Sequence, residues 1–157
     1  MNFFYELLLT LHNLWRWVVL ALAIVAAVTA CLGWFGKRPW TERDRKIGSF
    51  TAMSMDIQFL LGLLLYIFGE YGVKGLSKGM TFVNANQDYR FFGLEHLLLM
   101  LVALILAHLG SILPRKAQES TAKFIRAAIP FTLMLLLIIV AIPWWRPLLR
   151  IFGVTLP

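Results

Sequence analysis

The sequence predicts an all-α integral membrane protein, a four-helix bundle whose helices run up and down across a lipid bilayer. Hydrophobic residues make up 60% of the 157 residues. They are concentrated in four runs, which cover residues 17–36, 47–69, 97–113 and 127–145. A helix of about 20 apolar residues crosses the hydrocarbon core of a bilayer. We expect helices because a helix satisfies its own backbone hydrogen bonds where water is absent.

The boundaries of the expected helices follow from the charges, glycines and prolines that interrupt these runs. Gly36 and Pro39 end the first run, and glycines become frequent after the second. Pro114 follows the third run, and Pro143 ends the fourth helix. Four spans and their connections account for the whole length, so we predict a single domain over residues 1–157. The predicted helices cover about residues 8–35, 47–69, 91–113 and 122–143, and an amphipathic tail at the membrane interface covers residues 144–157.

The basic residues predict the orientation in the membrane. Lys and Arg concentrate on the cytoplasmic side of membrane proteins. Nine of the 15 lie in or beside the two connections after the first and third helices, against six on the opposite side. This bias predicts a protein of the bacterial inner (cytoplasmic) membrane with both termini outside. The net charge of +7 does not indicate a nucleic-acid partner, because basic residues at span edges are explained by orientation and anionic lipid headgroups.

A group of polar side chains is predicted to meet at the outer end of the bundle. His12 and Arg16 lie four residues apart and share one face of the first helix, while Glu95 and His96 open the third helix at the same end. Two histidines at one depth could ligate the iron of a haem b, with an arginine beside a propionate. The same group could hold a quinone headgroup, with Glu95 as proton acceptor. A third interpretation is a polar belt without a cofactor, in which Glu95 pairs with Arg16 or Arg90.

A second polar group lies deeper in the predicted membrane. Asp56 is ten residues from Lys46, about 15 Å along the helix and close to the bilayer midplane. His108 lies seven residues from Arg115, about 10 Å into the next antiparallel helix. A charge at this depth is costly, so we expect Asp56 to be protonated, or to be paired with a partner chain or with His108 in an Asp56–His108 pair. Such a pair could neutralise the acid, handle protons or contact another subunit.

Several short motifs carry a resemblance to a family of small bacterial four-helix membrane proteins, usually labelled cytochrome b or b-type-cytochrome-like. The motifs are His12-x-x-x-Arg16-Trp17, Ile57-Gln58-Phe59-Leu60-Leu61-Gly62-Leu63-x-x-Tyr66, Arg90-Phe91 with Glu95-His96, and Pro143-Trp144. They are spread over all four helices. The resemblance implies electron-transport membranes. In that family a histidine often precedes the Ile-Gln segment, and this chain has Asp56 there.

Two functional interpretations therefore remain open. One is a b-type-cytochrome-like protein that carries haem b or touches quinone at its outer face. The other is a cofactor-free accessory subunit that packs against other membrane subunits of a larger respiratory or photosynthetic complex. The single cysteine excludes an internal disulfide and a cysteine-based metal cluster. The sequence has no phosphate-binding glycine loop and no nucleophile elbow, so we do not expect a stand-alone hydrolytic enzyme.

Overall fold

The computed structural model describes residues 3–146, 149–151 and 154–156, and it confirms an all-α architecture for the predicted spans. Four helical segments are long and apolar enough to cross a membrane: Phe3–Phe35, Glu42–Phe68, Gln87–Lys116 and Ser120–Ala141. The helices are α1 (Phe3–Phe35), α2 (Glu42–Phe68), α3 (Val73–Leu76), α4 (Met80–Ala85), α5 (Gln87–Arg90), α6 (His96–Ile112) and α7 (Ser120–Ala141). Both α1 and α2 begin five residues before the predicted start.

The connection between α2 and α6 is more regular than the sequence predicted. The sequence predicted no helix between its second and third spans, at residues 70–90, but α3, α4 and α5 lie there. The chain then enters α6 through a π-helical turn at Phe91–Glu95 and leaves it through a 3₁₀ turn at Leu113–Lys116. The apolar and aromatic residues of the connection explain why it forms short helices. Val83 is fully buried, and Phe82 packs edge-on against Tyr89.

The long helices pack as a ring of four. Helix α1 packs against α2 and α7, and α6 packs against the same two helices. Small residues of α1 are buried at these contacts, namely Ala23, Ala26, Ala27 and Ala30. Small side chains allow helices to approach closely. Larger side chains of α7 fill the remaining space at the centre, with Phe131 and Met134 almost completely buried.

Two glycines show how tightly α7 packs against its neighbours. A Cβ atom on Gly33 of α1 would lie 2.2 Å from the ring of Phe124. A Cβ atom on Gly110 of α6 would lie 2.8 Å from the ring of Phe131. Both positions therefore require glycine to admit an aromatic ring, and this end of the bundle is filled.

The start of α2 is fixed by a charged cap. The Asp44 carboxylate accepts hydrogen bonds from the backbone N–H and the hydroxyl of Thr41, at 2.9 and 2.7 Å. Both guanidinium nitrogens of Arg38 also donate to it. The hydrogen bond to Asp44 raises the pKa of Arg38 above its ordinary value. A carboxylate that accepts from the residue before a helix closes the first turn of that helix.

The C-terminal segment forms a short β-ladder. Strands β1 (Leu149–Ile151) and β2 (Val154–Leu156) pair antiparallel, with Leu149 opposite Leu156. The backbone of β1 lies beside α1. The sequence predicted only an amphipathic interfacial tail over residues 144–157. Five positions of that tail, residues 147, 148, 152, 153 and 157, lie outside the described residues.

Candidate functional site

A cavity of about 720 Å³ lies at one end of the bundle, opposite the filled end. The first half of α1, the second half of α2, the start of α6 and the end of α7 all line it. Its wall is mostly apolar, with polar side chains from Tyr5, His12, Asn13, Arg16, Gln58, Tyr66, Glu70, Tyr71, Lys74, His96 and Arg146. A concave, largely apolar space with a few converging polar groups is the usual form of a cofactor or ligand site.

The two histidines of the predicted outer group meet in this cavity. The ring centres of His12 and His96 lie 6.3 Å apart, and the ring planes are inclined at 69°. His12 projects from α1 and His96 from α6, which face each other diagonally across the ring of helices. The structure therefore brings together two imidazoles from helices that share neighbours but do not pack extensively on each other.

Two features position His96. Its Nδ1 lies 2.9 Å from the carbonyl oxygen of Ala141, near the end of α7. A carbonyl only accepts, so Nδ1 carries the proton and the lone pair of a neutral ring is at Nε2. The π-helical turn at Phe91–Glu95 comes directly before His96. The extra residue of a π turn rotates the following residues by about 100° around the helix axis.

Gln58 and Gly62 of α2 position His12. The Gln58 amide nitrogen donates to the His12 backbone carbonyl at 3.0 Å and lies 3.3 Å from Nε2 of the His12 ring. A Cβ atom on Gly62 would lie 3.0 Å from Cε1 of the same ring. Gln58 therefore sets the height of the imidazole, and the glycine leaves space for it. Within the described residues, Nδ1 of His12 and Oε1 of Gln58 are buried without a hydrogen-bond partner.

Arginines from both ends of the chain reach the same cavity. Arg16 lines it one helical turn after His12, and Arg146 lines it just beyond α7. Arg146 pairs with Asp88 of α5 and donates to the hydroxyl of Tyr71 at 3.1 Å. Burial alone would lower the pKa of Arg146, but these hydrogen bonds raise it above its ordinary value. Arg16 therefore places a cationic side chain in the wall with the histidines, while the charge of Arg146 is paired with Asp88.

Glu95 does not belong to this cavity. Its carboxylate pairs with Nε of Arg90 at 2.9 Å, and both side chains are about half exposed. The sequence grouped Glu95 with His12, Arg16 and His96 because of its position in the chain. The π-helical turn ends at Glu95, and adjacent residues on a helix point in different directions. Of the four residues that the sequence grouped, only His12, Arg16 and His96 therefore line the cavity.

Asp56 and His108 form the pair that the sequence suggested, at 2.8 Å between Oδ1 and Nε2. The pair lies away from the cavity, on the outer surface of α2 and α6, with side-chain exposures of 49% and 44%. Gln58 turns to His12 instead, because residues two positions apart on a helix do not share a face. The polar residues of α2 thus divide between the cavity and the outer surface.

Gln58 and Gly62 were not recognised as site residues in the sequence, although a signal was present. Gln58 is the one amide side chain in residues 47–69, and Gly62 follows it by four positions, on the same helix face. The sequence contained no comparable indication that Arg146 and Tyr71 belong to the site, because their contacts depend on how the connection after α2 folds back onto the bundle.

The cavity has the chemistry of a ligand or cofactor site, with imidazole nitrogens, an amide and guanidinium groups in an apolar wall. Among the residues that the structure describes, no group of three or more His, Cys, Asp or Glu side chains could hold a metal ion. A metal in this cavity would therefore need ligands of its own besides the two histidines.

Comparison with known proteins identifies no relative. No family model matches the sequence, and no curated protein or solved structure shows significant similarity to it. The functional argument therefore rests on the residues of the cavity.

Proposed function

We propose that this chain is a small b-type-cytochrome-like membrane protein in which His12 and His96 would hold one haem b in the cavity. The distance between the two imidazoles carries the proposal. A bond between a metal and an imidazole nitrogen is about 2 Å long, and that nitrogen lies about 1 Å from the ring centre, so two rings on opposite sides of one iron have centres about 6 Å apart. The ring centres of His12 and His96 are 6.3 Å apart.

The residues around the histidines fit this cofactor. The hydrogen bond from His96 to Ala141 is the contact that usually orients a metal-ligating histidine and leaves Nε2 free. The contact between Gln58 and Nε2 of His12 is 3.3 Å long, beyond the common range for such a bond. A stronger interaction at that nitrogen can therefore replace it at little cost.

The electrostatics and size of the cavity also favour haem over a neutral ligand. Haem b carries two propionates, and the cavity wall contributes three cations, Arg16, Lys74 and Arg146, against one acid, Glu70, with Arg146 itself paired to Asp88. Guanidinium groups bind carboxylates through paired, charge-assisted hydrogen bonds. The cavity volume of about 720 Å³ falls within the range of about 300–1,000 Å³ that is typical of cofactor sites.

When bound, haem iron supplies reversible one-electron transfer. The residues of this chain would hold and tune it. His96 is kept in one tautomer by Ala141, and His12 is held in place by Gln58 and Gly62. Arg16 and Arg146 would bind carboxylates at the mouth, and the apolar wall would exclude water. Such a site passes electrons to a partner and does not require a catalytic base.

We infer that the four apolar helices insert in a bacterial inner membrane as an up-down bundle with both termini outside. Large apolar side chains are exposed along all four long helices, including Ile24, Leu60, Leu101 and Leu133. A water-soluble protein rarely exposes a continuous apolar surface of this extent. The excess of basic residues beside the connections after α1 and α6 supports the orientation.

Visible spectroscopy tests the haem proposal directly. The protein is expressed in a haem-producing bacterium, purified in mild detergent, and examined in its oxidised and dithionite-reduced forms. We expect about one haem b per chain and the narrow α band of a low-spin, six-coordinate iron. A correctly folded protein that contains no haem, and does not bind added haemin, would refute the proposal and leave the accessory-subunit interpretation.

A quinone headgroup is the second candidate for the same cavity. The observation in its favour is that the Gln58 amide and the His12 imidazole can donate hydrogen bonds in a space lined by apolar residues. Quinone carbonyls accept such bonds. Extraction of lipids from the haem-free protein, followed by chromatography, would show a stoichiometric quinone if this candidate is correct.

A further inference from the structure

The Asp56–His108 pair has no role in the proposed haem site, and its position is unusual for a protein in lipid. It lies on the outer surface of α2 and α6, about half exposed. Asp56 is near the middle of α2, about 20 Å from either end. In the membrane orientation proposed above, this surface faces the hydrocarbon region. Ionisable groups at this depth usually face protein or a water-filled space.

The pair retains hydrogen-bonding capacity that no other described residue uses. Oδ1 of Asp56 is joined to Nε2 of His108. The second carboxylate oxygen is an acceptor, and Nδ1 of the histidine is the remaining ring nitrogen, able to carry a proton. The exposed side of the pair thus presents one donor next to one acceptor.

We propose that this surface of α2 and α6 is the interface of a homodimer, in which two Asp56–His108 pairs meet across a twofold axis normal to the membrane. A twofold axis brings each residue of the pair against the other residue of the second copy. Nδ1–H of each histidine then donates to the free carboxylate oxygen of the other copy. A second copy inserted in the same orientation necessarily carries its pair at the same depth.

The polar contacts between α2 and α6 continue along the same helix faces. Ser49 lies seven residues before Asp56, and Arg115 lies seven residues after His108. The Arg115 guanidinium donates to the Ser49 hydroxyl at 3.2 Å. Residues seven positions apart occupy one helix face. The apolar side chains beside these pairs, Met53, Leu60, Leu101, Ile105 and Ile112, are exposed and would pack around the central polar contact.

Disulfide cross-linking in native membranes tests the interface. In a Cys31→Ser background, single cysteines replace Met53 or Ile105 beside the pair, and Ile24 of α1 or Leu133 of α7 as matched controls. All four positions are exposed, at 53%, 51%, 45% and 47%. We expect mild oxidation to give a species of twice the chain mass for the first two variants and little for the controls. Equal cross-linking at all four positions would refute the interface.

Substitution of the pair provides the second measurement. Asp56→Leu combined with His108→Leu removes the polar contact, and we expect a several-fold loss of cross-linking through residue 105. Asp56→His combined with His108→Asp restores a donor and an acceptor in each copy and should restore cross-linking. Unchanged cross-linking in the leucine variant would overturn the role of the pair. A cross-link of the Met53→Cys or Ile105→Cys chain to a different membrane protein, without a homodimer, would refute the second copy as the partner.

Discussion

His12 and His96 approach to 6.3 Å between ring centres although their helices are diagonal in the bundle. Helices α1 and α6 each pack mainly on α2 and α7, so the two imidazoles reach each other across the space that those helices enclose. The cavity exists at this end because the side chains that meet there are two imidazoles and an amide, whereas the opposite end is filled by Phe124 and Phe131.

We predict that replacement of either cavity histidine by alanine abolishes low-spin haem binding. Each imidazole would provide one of the two axial bonds, so His12→Ala and His96→Ala should each lose the sharp α band of the reduced protein. His108→Ala is the matched control, because His108 is a histidine of the same bundle outside the cavity. Optical spectra of the purified variants decide the outcome. An unchanged spectrum in both cavity variants would exclude the ligand assignment.

A larger residue at position 62 should displace His12. The Cβ of an alanine would already lie 3.0 Å from the imidazole, and a leucine would overlap it. We expect Gly62→Ala to lower haem occupancy moderately and Gly62→Leu to remove most of it. Gly48→Ala is the control, because its Cβ would lie 3.5 Å from Phe131 in ordinary contact. Equal haem content in Gly62→Leu and wild type would show that the ring of His12 is not held as described.

Arg16 should tune the reduction potential of the bound haem. A positive charge beside the cavity favours the reduced iron, because the reduced iron carries one positive charge less than the oxidised iron and is repelled less. Removal of this charge in Arg16→Gln should lower the midpoint potential by tens of millivolts, the effect of a unit charge at partly buried separation. Arg115→Gln at the other end of α6 should leave the potential nearly unchanged. A redox titration monitored by absorbance measures both, and equal shifts in the two variants would contradict a specific role of Arg16.

The proposed orientation predicts from which side of the membrane each of two engineered cysteines can be labelled. In a Cys31→Ser background, Met80→Cys in α4 should react with an impermeant maleimide in intact spheroplasts. Glu42→Cys at the start of α2 should react only after the membrane is opened. Labelling of residue 80 from the cytoplasmic side alone would reverse the orientation.

The charged cap of α2 should contribute measurably to stability. Asp44→Ala removes the acceptor for Thr41 and leaves Arg38 without its carboxylate. We expect a loss of about 1–2 kcal/mol in the free energy of unfolding, the usual effect of removing a helix cap. Glu42→Ala, which removes an exposed pair with Arg45, should change stability little. Unfolding in a denaturing detergent, followed by circular dichroism, compares the two variants.

The sequence by itself determined the number and approximate extent of the long helices. Four apolar runs of sufficient length, of which only the second contains a charged residue, Asp56, leave little choice of secondary structure, because any other backbone in lipid would lack hydrogen-bond partners. It also placed His12, Arg16 and His96 at one depth in the predicted membrane. This depth can be worked out from the sequence, because the rise of a helix per residue is constant. The family resemblance and the haem stay predictions that spectroscopy will test.

Only the tertiary structure decided which polar residues face one another. Glu95 and His96 are adjacent in the chain, yet one pairs with Arg90 at the surface and the other enters the cavity. Adjacent residues on a helix point in different directions, and the π-helical turn at Phe91–Glu95, which adds one residue before His96, leaves no clear signal in the hydrophobic pattern. Gln58 likewise turned to His12 and left Asp56 with His108 on the outer surface, because the rotation of α2 is fixed by its packing against α1 and α6 and not by its own sequence.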